Sequence, residues 1–199
     1  MNDTENLKGK VADAISVLTV KFKVTPEEQA KLKEPTIEIY ERRSRYRYDT
    51  NRLQLNATPE DLWPLVIGEE VAHYIHFGIN PHIFTVKPEE ATTVFDFLPR
   101  VFSVEMIGRY GGLVYASVKG LCEFPFKKSH RYTENPDDTL DHLGHELGYQ
   151  RAYKVFELHG DEHLPKLARM NAREVIDFSR KVAPISLYER KIMPLFNRT

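Results

Sequence analysis

Apolar and polar residues alternate along the first 56 residues in two different periods. NLKGKVADAISVL has apolar residues three and four positions apart, which predicts an amphipathic helix. TPEEQAKLKE begins with Thr, Pro and two acids, which is typical of the start of a short second helix. The period then changes to two, with β-branched and aromatic residues between polar ones and a DTN triplet in the middle. This pattern predicts two antiparallel strands, about Thr36–Tyr48 and Arg52–Asn56, joined by a turn.

The segment TPEDLWPLVIGEEVAHYIHFG predicts a helix over residues 58–78. Thr58 is a good N-cap, Pro59 suits the first helical position, and Gly78 is typical of a helix end. This helix contains the most apolar run of the chain.

Three further helical segments follow it. Residues 87–121 are mostly apolar and predict one long buried helix, or a helix kinked near Pro99. TLDHLGHELGYQRAYKVFELHG predicts a helix from Thr139 to Gly160, and DEHLPKLARMNAREVIDFSRKV predicts one more.

This order of elements predicts an α+β fold in a single domain, with a small antiparallel β-sheet followed by a mainly helical remainder. The expected parts are N-terminal helices in 1–35, a strand pair in 36–56, the helix 58–78, a helical part in 86–180 and a tail in 181–199.

Composition narrows the class of protein. The chain has 199 residues, of which 41% are hydrophobic and 29% charged, as in ordinary soluble domains. A net charge of -1 gives no general attraction to nucleic acid or to anionic membranes. Cys122 is the only cysteine, so neither an intrachain disulfide nor a cluster of thiolate ligands is possible. No run is long enough to span a membrane and the N-terminus lacks the plan of a secretory signal, so we expect a cytoplasmic protein.

The apolar run LVIGEEVAHYIHF contains four groups that are costly to bury, Glu69, Glu70, His73 and His76. On a helix, Glu69 and Glu70 lie four and three residues before His73, so both carboxylates neighbour that imidazole. Buried charges require partners, a cavity or a metal ion. The cluster therefore indicates a site.

The stretch EEVAH resembles the HExxH motif of the zincin metallopeptidases, and of their gluzincin type in particular. A strand pair followed by a capped helix that bears the motif is similar to the core of that family, and the similarity covers roughly residues 36–175. The resemblance implies that Glu69 stands at the first ligand position, where the family has histidine. It also implies that Glu70 is the general base, that His73 is the second ligand, and that Glu105 in FSVEMIGRY is the third ligand.

The segment DHLGHELGY offers an alternative ligand set. His142 and Glu146 are four residues apart, and together with Glu69 and His73 they would form a cluster from two helices. The resemblance also implies that His145 or Tyr149 stabilises the oxyanion.

The resemblance implies one divalent metal ion, zinc in that family. Replacing an imidazole with the carboxylate of Glu69 makes the ligand set more negative and harder, which favours manganese or iron. A second anion also reduces the power of a metal to acidify bound water. Three outcomes remain open: zinc, another metal, or a fold that has lost the metal.

Two functions follow from this resemblance. The first is a metal-dependent peptidase that hydrolyses peptide bonds with metal-activated water. The second is a catalytically inactive pseudopeptidase that binds a peptide or protein in the same cleft or serves as a scaffold.

Two further classes are disfavoured. Arg43, Arg45 and Arg47 would share one strand face with Tyr46 and Tyr48 on the other, which separates charge from stacking and disfavours nucleic-acid binding. A ferritin-like di-iron protein needs two E-x-x-H motifs, and we find one.

The remaining histidines, including His159 and His163, carry no specific signal.

Overall fold

The computed structural model describes residues 3–40, 44–56, 63–84, 94–121 and 136–185. Within these ranges the protein is mixed α+β, mostly helical, with a small three-stranded sheet. The elements are α1 (Asp3–Lys21), α2 (Pro26–Gln29), β1 (Thr36–Tyr40), β2 (Arg45–Arg47), β3 (Arg52–Asn56), α3 (Trp63–Ile79), a 3-10 turn (Pro81–Ile83), α4 (Val94–Val118), α5 (Pro136–His159), α6 (Leu164–Leu167) and α7 (Ala172–Val182).

The sheet differs from the predicted antiparallel pair. The first predicted strand is divided into β1 and β2, and the strand order is β1-β3-β2. β1 pairs with β3 in parallel, with Ile37 opposite Leu53, whereas β2 pairs with β3 antiparallel, with Tyr46 opposite Leu53. The prediction was wrong because alternating side chains have the same period of two in both kinds of pairing.

The helices α3, α4 and α5 form the centre of the molecule, with α4 packed against both of the others. Small residues allow their backbones to approach closely. A Cβ on Gly112 would lie 2.8 Å from the Leu65 carbonyl oxygen of α3, and a Cβ on Gly148 of α5 would lie 2.7 Å from the Phe102 carbonyl oxygen of α4. Both distances are below normal contact, so these two positions require glycine. The close packing brings side chains of three helices to one place.

Several of the other predicted helices differ from the structure in their bounds, and α5 begins at Pro136 rather than at the predicted Thr139. The second predicted helix is only the single turn α2, which starts with a capping box between Thr25 and Glu28. The last predicted helix is two helices, α6 and α7, because Asn171 caps a new helix by accepting a hydrogen bond from the Glu174 backbone. The long helix prediction is confirmed over α4, which contains Pro99.

Several predicted features lie outside the described residues. They are the Thr58 cap with Pro59, the residues 87–93 of the long helix, Arg43, Cys122 and the tail from residue 186 onward. Among the helices that the structure describes, none combines the length and the apolar character needed to cross a membrane.

Candidate metal centre

The polar cluster of α3 is buried. Glu69, Glu70 and His73 are 6%, 7% and 8% exposed, and His76 is completely enclosed. These residues follow one another in a helix that packs against α4 on one side and contacts β2 and β3 on another. The sequence folds this way because the apolar neighbours of the cluster, Val71 and Ile75 among them, belong to the core.

The structure brings together the three residues that the zincin resemblance implies as metal ligands. Glu69 and His73 of α3 and Glu105 of α4 each offer one ligand atom, and these three atoms lie within 4.8 Å of one another. Ligands bound to one zinc ion at about 2.0–2.2 Å lie at most about 4.4 Å apart. Small side-chain rotations would therefore allow the three groups to bind one ion.

His73 fits the role of a metal ligand. Its Nδ1 atom is buried and has no hydrogen-bond partner among the described residues, which is costly for a polar group. Gly108 of α4 makes room for the ring, since a Cβ there would lie 2.7 Å from Nδ1 and closer still to two other ring atoms. The donor set of one imidazole and two carboxylates suits zinc, manganese or iron.

A buried arginine contacts the first of these carboxylates. Arg109 Nη2 lies 3.0 Å from Glu69 Oε2, and its guanidinium lies 4.0 Å from the centre of the Tyr149 ring. Burial opposes the charge on Arg109, but the Glu69 carboxylate and Tyr149 outweigh burial and raise the pKa of the guanidinium. The positive charge on Arg109 is therefore retained beside Glu69.

Sequence reasoning missed Arg109. Its only signal was a single basic residue one helical turn after Glu105, in an otherwise apolar part of α4. Its partner Glu69 belongs to another helix, so local spacing could not reveal the pair.

His145 and Tyr149 of α5 lie beside the carboxylates of Glu69 and Glu105 and the guanidinium of Arg109. The Nδ1 atom of His145 lies 2.8 Å from Glu105 Oε2, and the rings of His145 and Tyr149 are 6.2 Å apart with nearly perpendicular planes. This contact places the imidazole of α5 directly beside the carboxylate of α4.

These side chains line a cavity of about 450 Å³. Its sheet side is formed by Tyr40, Ser44, Arg45, Tyr46 and Tyr48, and Phe84 follows the 3-10 turn. The helices contribute Glu69, Glu70, His73, Val104, Glu105, His145 and Tyr149. The volume is within the range of cavities that bind small ligands, about 300–1,000 Å³.

The alternative ligand Glu146 is not among the described residues that line this cavity. Its carboxylate accepts a hydrogen bond from Gln150 Nε2 at 3.1 Å. The side chain of His142 lies outside the described part of the structure. Glu105 is thus the third residue that the geometry brings to Glu69 and His73.

His76 belongs to the core beside this cluster. Burial, and then the charge of His73, lower the pKa of His76 to about 3, so the ring is neutral near pH 7. Its ring lies 5.0 Å from that of Phe84 in an edge-on arrangement. Neither ring nitrogen has a hydrogen-bond partner among the described residues.

Comparisons of the chain with protein-family models, with curated proteins and with solved structures found no match. The functional argument therefore depends on the residues and their geometry.

Proposed function

We propose that this protein is a zincin-like metal-dependent hydrolase that cleaves peptide bonds. The observation that supports the proposal most strongly is the meeting of Glu69, His73 and Glu105 in a cavity that Glu70 also lines. The spacing of Glu69, Glu70 and His73 on one helix is that of the ligand, base and ligand of HExxH enzymes.

Each residue would have a defined role. Glu69, His73 and Glu105 would hold one divalent ion, which supplies Lewis-acid activation of water and of the substrate carbonyl. Glu70 would take the proton of the attacking water as general base. Tyr149 and His145 line the same cavity and would stabilise the developing oxyanion.

Arg109 supports the proposal by balancing the charge of the variant motif. A set of two histidines and one glutamate, as in thermolysin, carries one negative charge, whereas Glu69, His73 and Glu105 carry two. The paired guanidinium of Arg109 reduces this to one. Only one carboxylate oxygen of Glu69 is needed for that ion pair, so the other can bind metal. The replacement of histidine by glutamate is thereby compensated.

The sheet side of the cavity suggests the substrate class. Tyr40, Tyr46, Tyr48 and Phe84 form an aromatic wall, and Arg45 stands beside it. Such a wall suits an extended peptide with an aromatic or other apolar side chain near the cleaved bond.

Hydrolysis of a quenched fluorescent peptide library by metal-reloaded protein tests this function. The protein is stripped with a chelator, reloaded with zinc, manganese or iron, and compared with Glu70→Gln and with Glu146→Gln as matched control. We expect hydrolysis with at least one metal, a loss of about 10²–10⁴-fold in Glu70→Gln with metal retained, and no change in Glu146→Gln. Equal rates in wild type and Glu70→Gln would reject the assignment.

The ion pair of Arg109 with Glu69 also favours a second candidate, a metal-free protein that binds a peptide in the cavity. In that case the guanidinium takes the place of a metal as the partner of Glu69. This candidate predicts that the reloading step leaves no metal bound by His73 and that no peptide is hydrolysed.

A further inference from the structure

A second group of metal-ligating side chains lies where α5 ends. His159 is the last residue of α5, Gly160 reverses the chain with a φ of 57°, and Glu162 and His163 precede α6. These two histidines and the glutamate each offer a ligand atom, and the three atoms lie within 4.8 Å of one another. The two imidazole rings are 4.6 Å apart. None of the three residues lines the cavity described above.

The hydrogen bond of His159 fixes which of its nitrogens can bind a metal. Nε2 lies 2.6 Å from the carbonyl oxygen of Val182 in α7. A carbonyl only accepts hydrogen bonds, so Nε2 must carry the proton and donate it. Nδ1 of the neutral ring then has a free lone pair. A carbonyl behind the ring is the usual support of a metal-bound histidine.

His163 is held in place by several contacts. Its backbone N–H donates a hydrogen bond to the Tyr110 hydroxyl, 3.4 Å away, and its ring packs edge-on against Phe178 at 5.2 Å. The turn itself is tied to α1, since Lys21 Nζ lies 2.6 Å from Asp161 Oδ2. Contacts to three other helices thus restrain the turn before any ion binds, which lowers the ordering cost of binding.

Exposure at this turn leaves a path for an ion. The side chain of Glu162 is 70% exposed, whereas that of His163 is mostly covered. One solvent-facing carboxylate and two partly buried imidazoles resemble a three-ligand site with one open position. The ligand set favours a late first-row divalent ion over magnesium or calcium, which require oxygen ligands.

We propose that His159, Glu162 and His163 form a second metal site, specific for zinc and chemically similar divalent ions. The site is independent of the proposed hydrolase function, because it uses other residues at the far end of α5. In the folded protein an ion here would connect the end of α5 with the turn that leads to α6.

Metal stoichiometry of the full chain tests this site. Chelator-stripped protein is dialysed against zinc and its metal content is measured for wild type, His163→Ala, His73→Ala and the exposed control His82→Ala. We expect His163→Ala to lose one equivalent that wild type, His73→Ala and His82→Ala all keep. An unchanged equivalent in His163→Ala would overturn the proposal. Loss of an equivalent in His73→Ala reports on the cavity site alone, so the two proposals fail separately.

A second variant excludes a mere folding defect. Glu162→Gln changes one exposed side chain, and we expect it to weaken zinc binding at this turn by about tenfold or more. In parallel, imidazole 15N spectra of wild type should show that zinc shifts the Nδ1 signal of His159 while Nε2 keeps its proton. Unaltered affinity in Glu162→Gln, or zinc bound through Nε2 of His159, would overturn the assignment.

Discussion

At the scale of single residues, the pair Arg109 and Glu69 is the feature that distinguishes this site from an HExxH site. Both side chains are largely buried, and their atoms are 3.0 Å apart. Removing one partner of a buried ion pair costs about 3–5 kcal/mol, because the other charge stays unpaired. A bound divalent ion would offset much of this loss of stability, because it also neutralises the charge of Glu69.

The variant Arg109→Met should therefore behave differently with and without metal. We expect a loss of about 3–5 kcal/mol in the free energy of unfolding of the metal-free protein, and a much smaller loss with zinc. Zinc should bind roughly tenfold tighter or more, since a nearby positive charge has gone. Urea unfolding with and without zinc measures both effects. Arg109→Lys keeps the charge, and equal zinc affinity in the two variants would contradict the charge argument.

A double substitution tests whether Arg109 compensates for Glu69. Glu69→His alone leaves a buried guanidinium without its carboxylate, and Arg109→Met alone leaves an excess negative charge. Together they recreate a neutral histidine ligand without the arginine. We expect the double variant to hydrolyse peptides faster than either single variant, with the coupling measured in a double-mutant cycle. Additive losses would show that the two residues act separately.

At the scale of elements, close helix packing produces the site. His73 of α3 stands over Gly108 of α4, where a Cβ would lie 2.7 Å from its Nδ1. The glycine is therefore required for the ring to occupy this position, and the ring position in turn sets the distance to Glu69 and Glu105.

Gly108→Ala tests this packing. The added methyl group must displace either the His73 ring or the helix, and we expect a loss of about 1–3 kcal/mol in stability together with weaker metal binding. Gly9→Ala in α1 is the matched control, since no atom lies within 4 Å of its Cβ position. There we expect a gain of about 0.4–1 kcal/mol. Thermal unfolding measures the change in stability of both variants. Equal destabilisation by Gly108→Ala and Gly9→Ala would contradict the close packing of His73 against Gly108.

Elements also show how far the sequence could predict this molecule. The type and approximate position of α3, α4 and α5 could be predicted because long runs with helical spacing have few alternatives, although α5 begins at Pro136 and not at the predicted Thr139. The three-stranded order of the sheet could not, because alternation does not specify the neighbour of a strand. Glu69 and His73 could be paired through the motif, whereas Glu105 was grouped with them through the family resemblance, with His142 and Glu146 as alternatives. The ion pair of Glu69 with Arg109 and the contact of Glu105 with His145 join different helices, so the structure was needed to find them.

At the scale of the whole molecule, the cavity lies between the sheet and three helices. The buried His76 beside it makes the stability of the fold depend on pH. His76 is fully buried, and its pKa of about 3 is lowered by burial and by His73 from the usual 6.5. In the unfolded chain the ring takes up a proton near pH 6.5, whereas in the folded protein it does so only near pH 3. The unfolded state therefore binds more protons in this interval, and stability falls as the pH falls from about 6.5 towards 3.

Replacement of His76 should remove this acid sensitivity. We expect His76→Leu to show a smaller loss of unfolding free energy than wild type between pH 6.5 and pH 4 in metal-free protein. The difference should be on the order of several kcal/mol. Denaturant titrations at fixed pH values measure it. The same substitution at exposed His82 is the control, and parallel pH profiles for wild type and His76→Leu would contradict the burial argument.

The most direct test of the proposed metal centre is anomalous diffraction at the zinc absorption edge, from crystals of the full chain grown with zinc. We predict an anomalous peak in the cavity at about 2.0–2.2 Å from atoms of Glu69, His73 and Glu105, with Arg109 still paired to the other oxygen of Glu69. A cavity without an anomalous peak in fully zinc-loaded crystals would contradict the proposed metal centre and leave Arg109 as the cation that pairs with Glu69 among the described residues.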